Sequence, residues 1–152
     1  MSQPAQNKLE SASVWRCDVS VSNQTDARER LAERLAEQML LLEWAEKDVF
    51  DVQIAFEEAL TNAVVHGNHS DPLKLVHVQC LVTAAEVCLS MRDEGTGFNP
   101  EDVPDPRHPD NLHTPSGRGI MLIRHFMDKV EFTPSGNVVT MTKYRKTQSQ
   151  RL

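Results

Sequence analysis

No stretch of this chain is basic enough to follow a phosphate backbone. Lys and Arg number 16 against 22 Asp and Glu, a net charge of −6, and without a dense cationic block direct nucleic-acid binding is not expected. Long apolar runs are also missing. The first residues, "MSQPAQNKLESAS", are polar and lack the apolar centre of a signal peptide, and nothing later approaches the roughly 20 apolar residues of a membrane span. A cytoplasmic protein with no membrane partner is the expectation. Cysteine is scarce: Cys17, Cys80 and Cys88 form no CxxC pair, and an odd number argues against a complete disulfide framework. They read as reduced, mostly buried thiols. There is no internal repeat, no GxxxxGK[ST], no GxGxxG after a strand, no HExxH and no GxSxG, so P-loop, Rossmann, zinc-protease and serine-hydrolase chemistries lack their usual residues. His66 and His69 lie three apart with a glycine between them, which is no zinc pattern.

The chain does have the makings of one unit: 152 residues, 39% of them hydrophobic and so able to bury a core. We place a flexible leader at 1–13, a single domain at 14–146 and a frayed tail at 147–152. Alternation over Val14 to Val21 predicts a strand. From Thr25 to Gly67 the chain is helical in character, with Leu31, Leu35, Met39 and Leu42 at helical spacing behind a cap-like Thr25 or Asp26. It is too long for one straight helix, and a break is expected between Leu42 and Lys47. Leu73 to Val82 and Ala85 to Arg92 read as a hairpin. Beyond it lies a proline-rich stretch, Asn99 to Ser116, with His108 and His113 inside it; it suits neither a central strand nor a regular helix, and loops this long are often functional. "GRGIMLIRHFMDKV" reads as a helix with Ile120, Ile123 and Met127 on one side and Met121, Leu122 and Phe126 widening the apolar face. A second hairpin ends at Tyr144. The order predicts an α/β protein, a two-layer α/β sandwich with helices on one face of a mixed, mostly antiparallel sheet.

Three clusters carry chemistry. In "FEEALTNAVVHG", Glu58 and Asn62 stand about 40° apart around a helix axis and point the same way, beside the apolar stripe of Val52, Phe56, Ala59 and Ala63. Glu57, about 100° away, points elsewhere. In "RDEGTGF", Asp93 can accept a hydrogen bond from an exocyclic amine, while Gly95 and Gly97 allow a sharp turn or a close ligand. In "SGRGI", Gly117 and Gly119 precede a helix whose unpaired N–H groups suit phosphate.

Together, "EALTN", "DEGTG" and "GRG" resemble the N, G1 and G2 boxes of the Bergerat-type ATP-binding fold shared by gyrase, MutL and sensor histidine kinases. "NAVVHG", "RDEGTGF", the "VPDP" linker and "SGRGIMLIRHFMDKVEF" resemble the small serine/threonine kinases that act as bacterial anti-sigma factors. The resemblance implies ATP and Mg²⁺ as cofactors, with Asn62 as metal ligand and Glu58 as general base toward a target hydroxyl. It implies Asp93 as reader of the adenine amine, with Gly95 and Gly97 letting the base approach. Gly117, Arg118 and Gly119 would wrap the triphosphate, and Asn99 to Ser116 would form the lid. His66 would border the nucleotide pocket or simply close its helix.

By the same resemblance, the protein phosphorylates a STAS-type anti-anti-sigma protein, sequesters a sigma factor and forms a homodimer. A non-catalytic ATP-holding switch is the alternative, which an intact Glu58 disfavours. A domain related to a histidine kinase is another, disfavoured because the sequence shows neither dimerisation helices with a phospho-accepting histidine nor a transducer domain.

Overall fold

Alternating burial along the strands builds the sheet. In the computed structural model, the described residues are 14–95 and 115–146. The expected leader and tail, Gly97, His108, His113 and nearly all of the proline-rich lid lie outside them. The strands are β1 (Trp15–Val21), β2 (Val76–Val82), β3 (Glu86–Asp93), β4 (Lys129–Phe132) and β5 (Val138–Tyr144). They are ordered β1-β2-β3-β5-β4, and every pairing among the described residues is antiparallel. The mostly antiparallel sheet expected from the sequence is therefore wholly so where it is described. Val76, Val78, Cys80 and Val82 of β2 and Val87, Leu89 and Met91 of β3 are buried, while their alternates are more exposed. A period of two turns one face inward.

The helices α1 (Thr25–Leu41), α2 (Glu46–Asn62) and α3 (Pro115–Phe126) cover that inner face. The break falls where expected. It holds because Glu43 takes a left-handed φ of 62°, and because Arg145 donates to Leu42 O at 3.0 Å and to Glu43 O at 2.6 Å while its guanidinium lies over the Trp44 ring. Trp44 in turn donates to Thr83 O at 2.9 Å. The N-cap of α1 is Gln24, with no side-chain cap bond, in place of the Thr25 or Asp26 expected. In α3, Ile120, Ile123 and the adjoining Met127 are buried as predicted, but Met121 is exposed, so the apolar face is narrower than the sequence pattern implied. No helix among the described residues is long and apolar enough to cross a membrane. All three cysteines are free, but only Cys80 is buried; Cys17, on the edge strand β1, and Cys88, on the alternate face of β3, are half-buried. Burial pushes the Cys80 thiol up to about 12, far from a reactive thiolate.

The central helix, α2, packs against both α1 and α3. Its inner face carries Val49, Val52, Phe56 and Leu60, with Leu35 and Met39 of α1 and Ile123 of α3 beside them. One polar link crosses this core. Lys143 of β5 donates to Phe126 O, the last carbonyl of α3, at 2.7 Å and approaches Asp51 of α2 at 3.4 Å, both side chains being buried. A cation at a helix C-terminus meets the negative end of the dipole, so Lys143 fastens α3 to α2 through the sheet. Lys143→Met should cost about 3 kcal/mol in urea unfolding, because Asp51 stays buried without its partner. Asp51→Leu added to Lys143→Met should recover much of that loss; equal midpoints for the parent and Lys143→Met would show that the pair contributes nothing.

Candidate functional site

The end of α2 does not stop as an ordinary helix. From Ala63 to Gly67 it widens into a π turn, closed by Asn68 N donating to Ala63 O at 2.8 Å. His69 and Ser70 then adopt left-handed φ of 52° and 56°. Such turns insert a residue and rotate the chain beyond them, and they recur at functional sites. Here the turn carries Gly67 and Asn68 against the end of β3, where Asp93 sits 3% exposed. A Cβ on Gly67 would run into the Asp93 carboxylate, and one on Gly95 would run into the Gly67 carbonyl. Both positions have to be glycine for the two segments to touch.

Asp93 Oδ1 accepts from Gly95 N at 3.0 Å, and its Oδ2 faces Gly67. Burial pushes the Asp93 carboxyl above the usual aspartate range; the Gly95 N–H and the nearby His69 and Lys74 pull the other way. Asp93 and Asn62 line one narrow cleft of about 10 Å³, together with Ala59, Met91, Ile123 and Asn137, which has room for a water and must widen to take a base. The sequence placed these two polar groups thirty-one residues apart on different elements; the fold puts them on the same walls.

Beyond that cleft, Glu58 and Asn62 face Gly119, the fifth residue of α3. A Cβ built on Gly119 would stand 2.9 Å from Glu58 Oε2 and 3.2 Å from Asn62 Nδ2, so the glycine lets the helix backbone lie directly on the two polar side chains. Asn62 is 6% exposed, and its Nδ2 has no hydrogen-bond partner among the described residues. A buried amide left uncommitted is uncommon and is costly unless something fills the gap. Its carbonyl and amino ends are interchangeable by rotation, so the carbonyl oxygen can serve a cation. Mg²⁺ takes few protein ligands and keeps waters and phosphate oxygens, which suits a single neutral amide. No cluster of three or more His, Cys, Asp or Glu with metal-binding geometry occurs among the described residues.

Gly117 and Arg118 lie in the first turn of α3, which begins at Pro115, so the two glycines expected to precede the helix are inside it, as are the last two residues of the expected lid. Glu57 is exposed and lines a separate groove between α1 and α2 with Arg28, Phe56 and Thr61. That groove is more open and has a buried donor without a partner of its own, Arg28 Nε, but no neutral amide. His66 lies half-buried in the π turn, its pKa pushed down by burial and then by His69; it does not line the cleft shared by Asn62 and Asp93. Two participants were missed in the sequence. Gly67 read only as a helix end, although a glycine closing a polar helix that must meet a glycine turn is a signal for close approach. Asn68 read as nothing at all.

Residues 21–143 match a family model described as the histidine kinase-like ATPase domain. The anti-sigma F factor of Oceanobacillus iheyensis is 33% identical over 103 residues, 63% of this chain and 69% of that protein. The anti-sigma F factor of Geobacillus stearothermophilus is 29% identical over 108 residues, 68% of this chain and 73% of that protein. In fold, the chain resembles a crystal structure of the RsbU and RsbW domains of a Mycobacterium tuberculosis protein, with a TM-score of 0.55 at 16% identity. That likeness covers 87% of this chain and 32% of the larger one.

Because Asp93 holds its proton more tightly folded than unfolded, ionising it costs stability. The cost is absent below the ordinary aspartate pKa and complete above the raised one. Asp93→Asn should therefore melt higher than the parent at neutral pH, and the advantage should fade as the pH drops through the raised pKa. Melting curves across the acid range check this; a variant that melts lower at neutral pH would show that the carboxylate's bonds outweigh its desolvation.

Proposed function

The chain belongs to the histidine kinase-like ATPase domain family and is a relative of the anti-sigma F factors, and on that premise we propose that it is an ATP-dependent serine/threonine kinase and anti-sigma factor. Its protein substrate is a STAS-type anti-anti-sigma protein, its second partner a sigma factor, and its working form a cytoplasmic homodimer built on the domain 14–146. Support comes from one arrangement: the buried Asn62, whose Nδ2 has no partner among the described residues, and the Glu58 carboxylate lie against Gly119 of α3, while Asn62 shares a narrow cleft with Asp93.

Each residue then has a task. Asp93 accepts a hydrogen bond from the exocyclic amine of adenine, and Gly67 and Gly95 let the backbone close around that carboxylate and hold it in place. Gly117 and Arg118 lie in the first turn of α3, whose unpaired N–H groups and dipole favour the triphosphate, and Gly119 follows one turn in. Asn62 would hold Mg²⁺, which would supply positive charge to offset what develops on the phosphates during transfer. Glu58 takes the proton from the target hydroxyl as that oxygen bonds to the γ-phosphorus and the bond to the β–γ bridging oxygen breaks, leaving ADP. His66, in the π turn, borders the nucleotide.

Two variants separate these roles. Glu58→Gln should keep ATP affinity while radiolabel transfer to the anti-anti-sigma partner falls by about 10²–10⁴-fold; undiminished transfer removes Glu58 from the chemistry. Asn62→Ala should abolish the gain in ATP affinity that the parent shows on adding magnesium, read by calorimetry with and without the metal. If the variant gains as much as the parent, another group holds the cation.

A further inference from the structure

Asn68 is 2% exposed, and every polar group it has is engaged. Its N–H donates to Ala63 O at 2.8 Å, and its O accepts from Asp71 N at 3.1 Å. Its side-chain Nδ2 donates to Leu75 O at 3.0 Å, and its Oδ1 accepts from Glu94 N at 2.7 Å. Glu94 completes the loop: its Oε1 accepts from Leu75 N at 2.6 Å, and its Oε2 lies 3.1 Å from His77 Nε2. Asn68, Leu75 and Glu94 therefore form a closed ring of hydrogen bonds that joins the end of the π turn, the entry to β2 and the exit of β3.

Resting on the nucleotide site proposed above, we infer that Asn68 is a positioning residue for nucleobase selectivity. Glu94 is the residue between Asp93 and Gly95. Holding its N–H fixes the peptide that links the carboxylate to the glycine N–H bonded to that carboxylate, and so fixes where Asp93 points. Asn68 is also the chain neighbour of Gly67, which faces Asp93 Oδ2. One side chain thus ties both walls around the group that reads the base. The π turn is what makes this reach possible, since without its inserted residue Asn68 would be rotated by about 100° around the helix axis. The consequence concerns adenine against guanine. Adenine presents an amine to a carboxylate where guanine presents a carbonyl oxygen, so discrimination depends on the carboxylate being held in place rather than free to turn away.

The experiment is a calorimetric titration of the parent, Asn68→Ala and Glu94→Ala with Mg·ATP and Mg·GTP, each with a melting curve. In Asn68→Ala the ATP-over-GTP affinity ratio is expected to fall by about tenfold, equal to ~1.4 kcal/mol of lost discrimination. Glu94→Ala keeps the Glu94 N–H bonded to Asn68 Oδ1 and cuts the ring at Leu75 N, on a side chain that is 37% exposed, so it should lower the ratio in the same direction by less than Asn68→Ala, with a melting temperature near the parent's. This second variant keeps the inference testable if Asn68→Ala folds poorly. A selective parent whose ratio is unchanged in the foldable variants, with ATP and GTP affinities falling together, overturns the positioning role and leaves the nucleotide site standing. A parent that binds ATP no better than GTP, or binds neither, overturns the functional proposal and this inference with it.

Discussion

The site depends on one close approach, in which a buried carboxylate at the end of β3 lies against bare backbone from the end of α2. Asp93 has glycine on both sides of it in space, Gly67 and Gly95, and neither tolerates a Cβ. Side chains at these positions would separate helix from sheet, and the cleft that Asp93 shares with Asn62 would lose a wall. The carboxylate itself is held in an unfavourable setting, since burial raises its pKa against the pull of Gly95 N–H, His69 and Lys74. Strain and desolvation of this kind persist where the surrounding structure over-determines the geometry, and here the π turn, the two left-handed residues after it and the Asn68–Glu94 ring do so.

The opposite end of the cleft obeys the same logic with different chemistry. Gly119, one turn into α3, lets that helix lie on Glu58 and Asn62, so helix backbone, a carboxylate and an amide with an unpartnered Nδ2 converge in one place. What keeps α3 there is partly apolar, through Ile120, Ile123 and Met127, and partly the Lys143 ammonium, which joins the last carbonyl of α3 to Asp51 of α2. The helix is fastened at its C-terminal end, and its glycine-rich N-terminal end meets the polar pair. This leaves the end toward the cleft as the one that a ligand can engage.

Much of this was legible in the linear pattern. Period-two burial in β2 and β3 and the helical spacing of Leu31, Leu35 and Met39 foretold the two layers, because a sheet face or helix stripe must be covered. The four-residue step from Glu58 to Asn62 foretold a shared face, and Glu57 turned away as its angle required. Less was legible where local rules compete. Met121 fits an apolar helix pattern and yet faces solvent, because the width of a buried stripe is set by what packs on it. Gln24 in the N-cap position replaced better capping residues, because chain entry from β1 fixed where α1 begins.

By itself the sequence determined the order of strands and helices, the polar pair on α2 and the glycine-bearing turns, since these arise from side-chain periodicity and from the backbone freedom of single residues. Only the tertiary structure decided that Asn62 and Asp93 share a cleft, that α2 ends in a π turn, and that Asn68 and Glu94 close a ring around Asp93. Those are long-range matters of register and contact. They depend on where two distant segments meet, and no periodicity within either segment encodes that meeting.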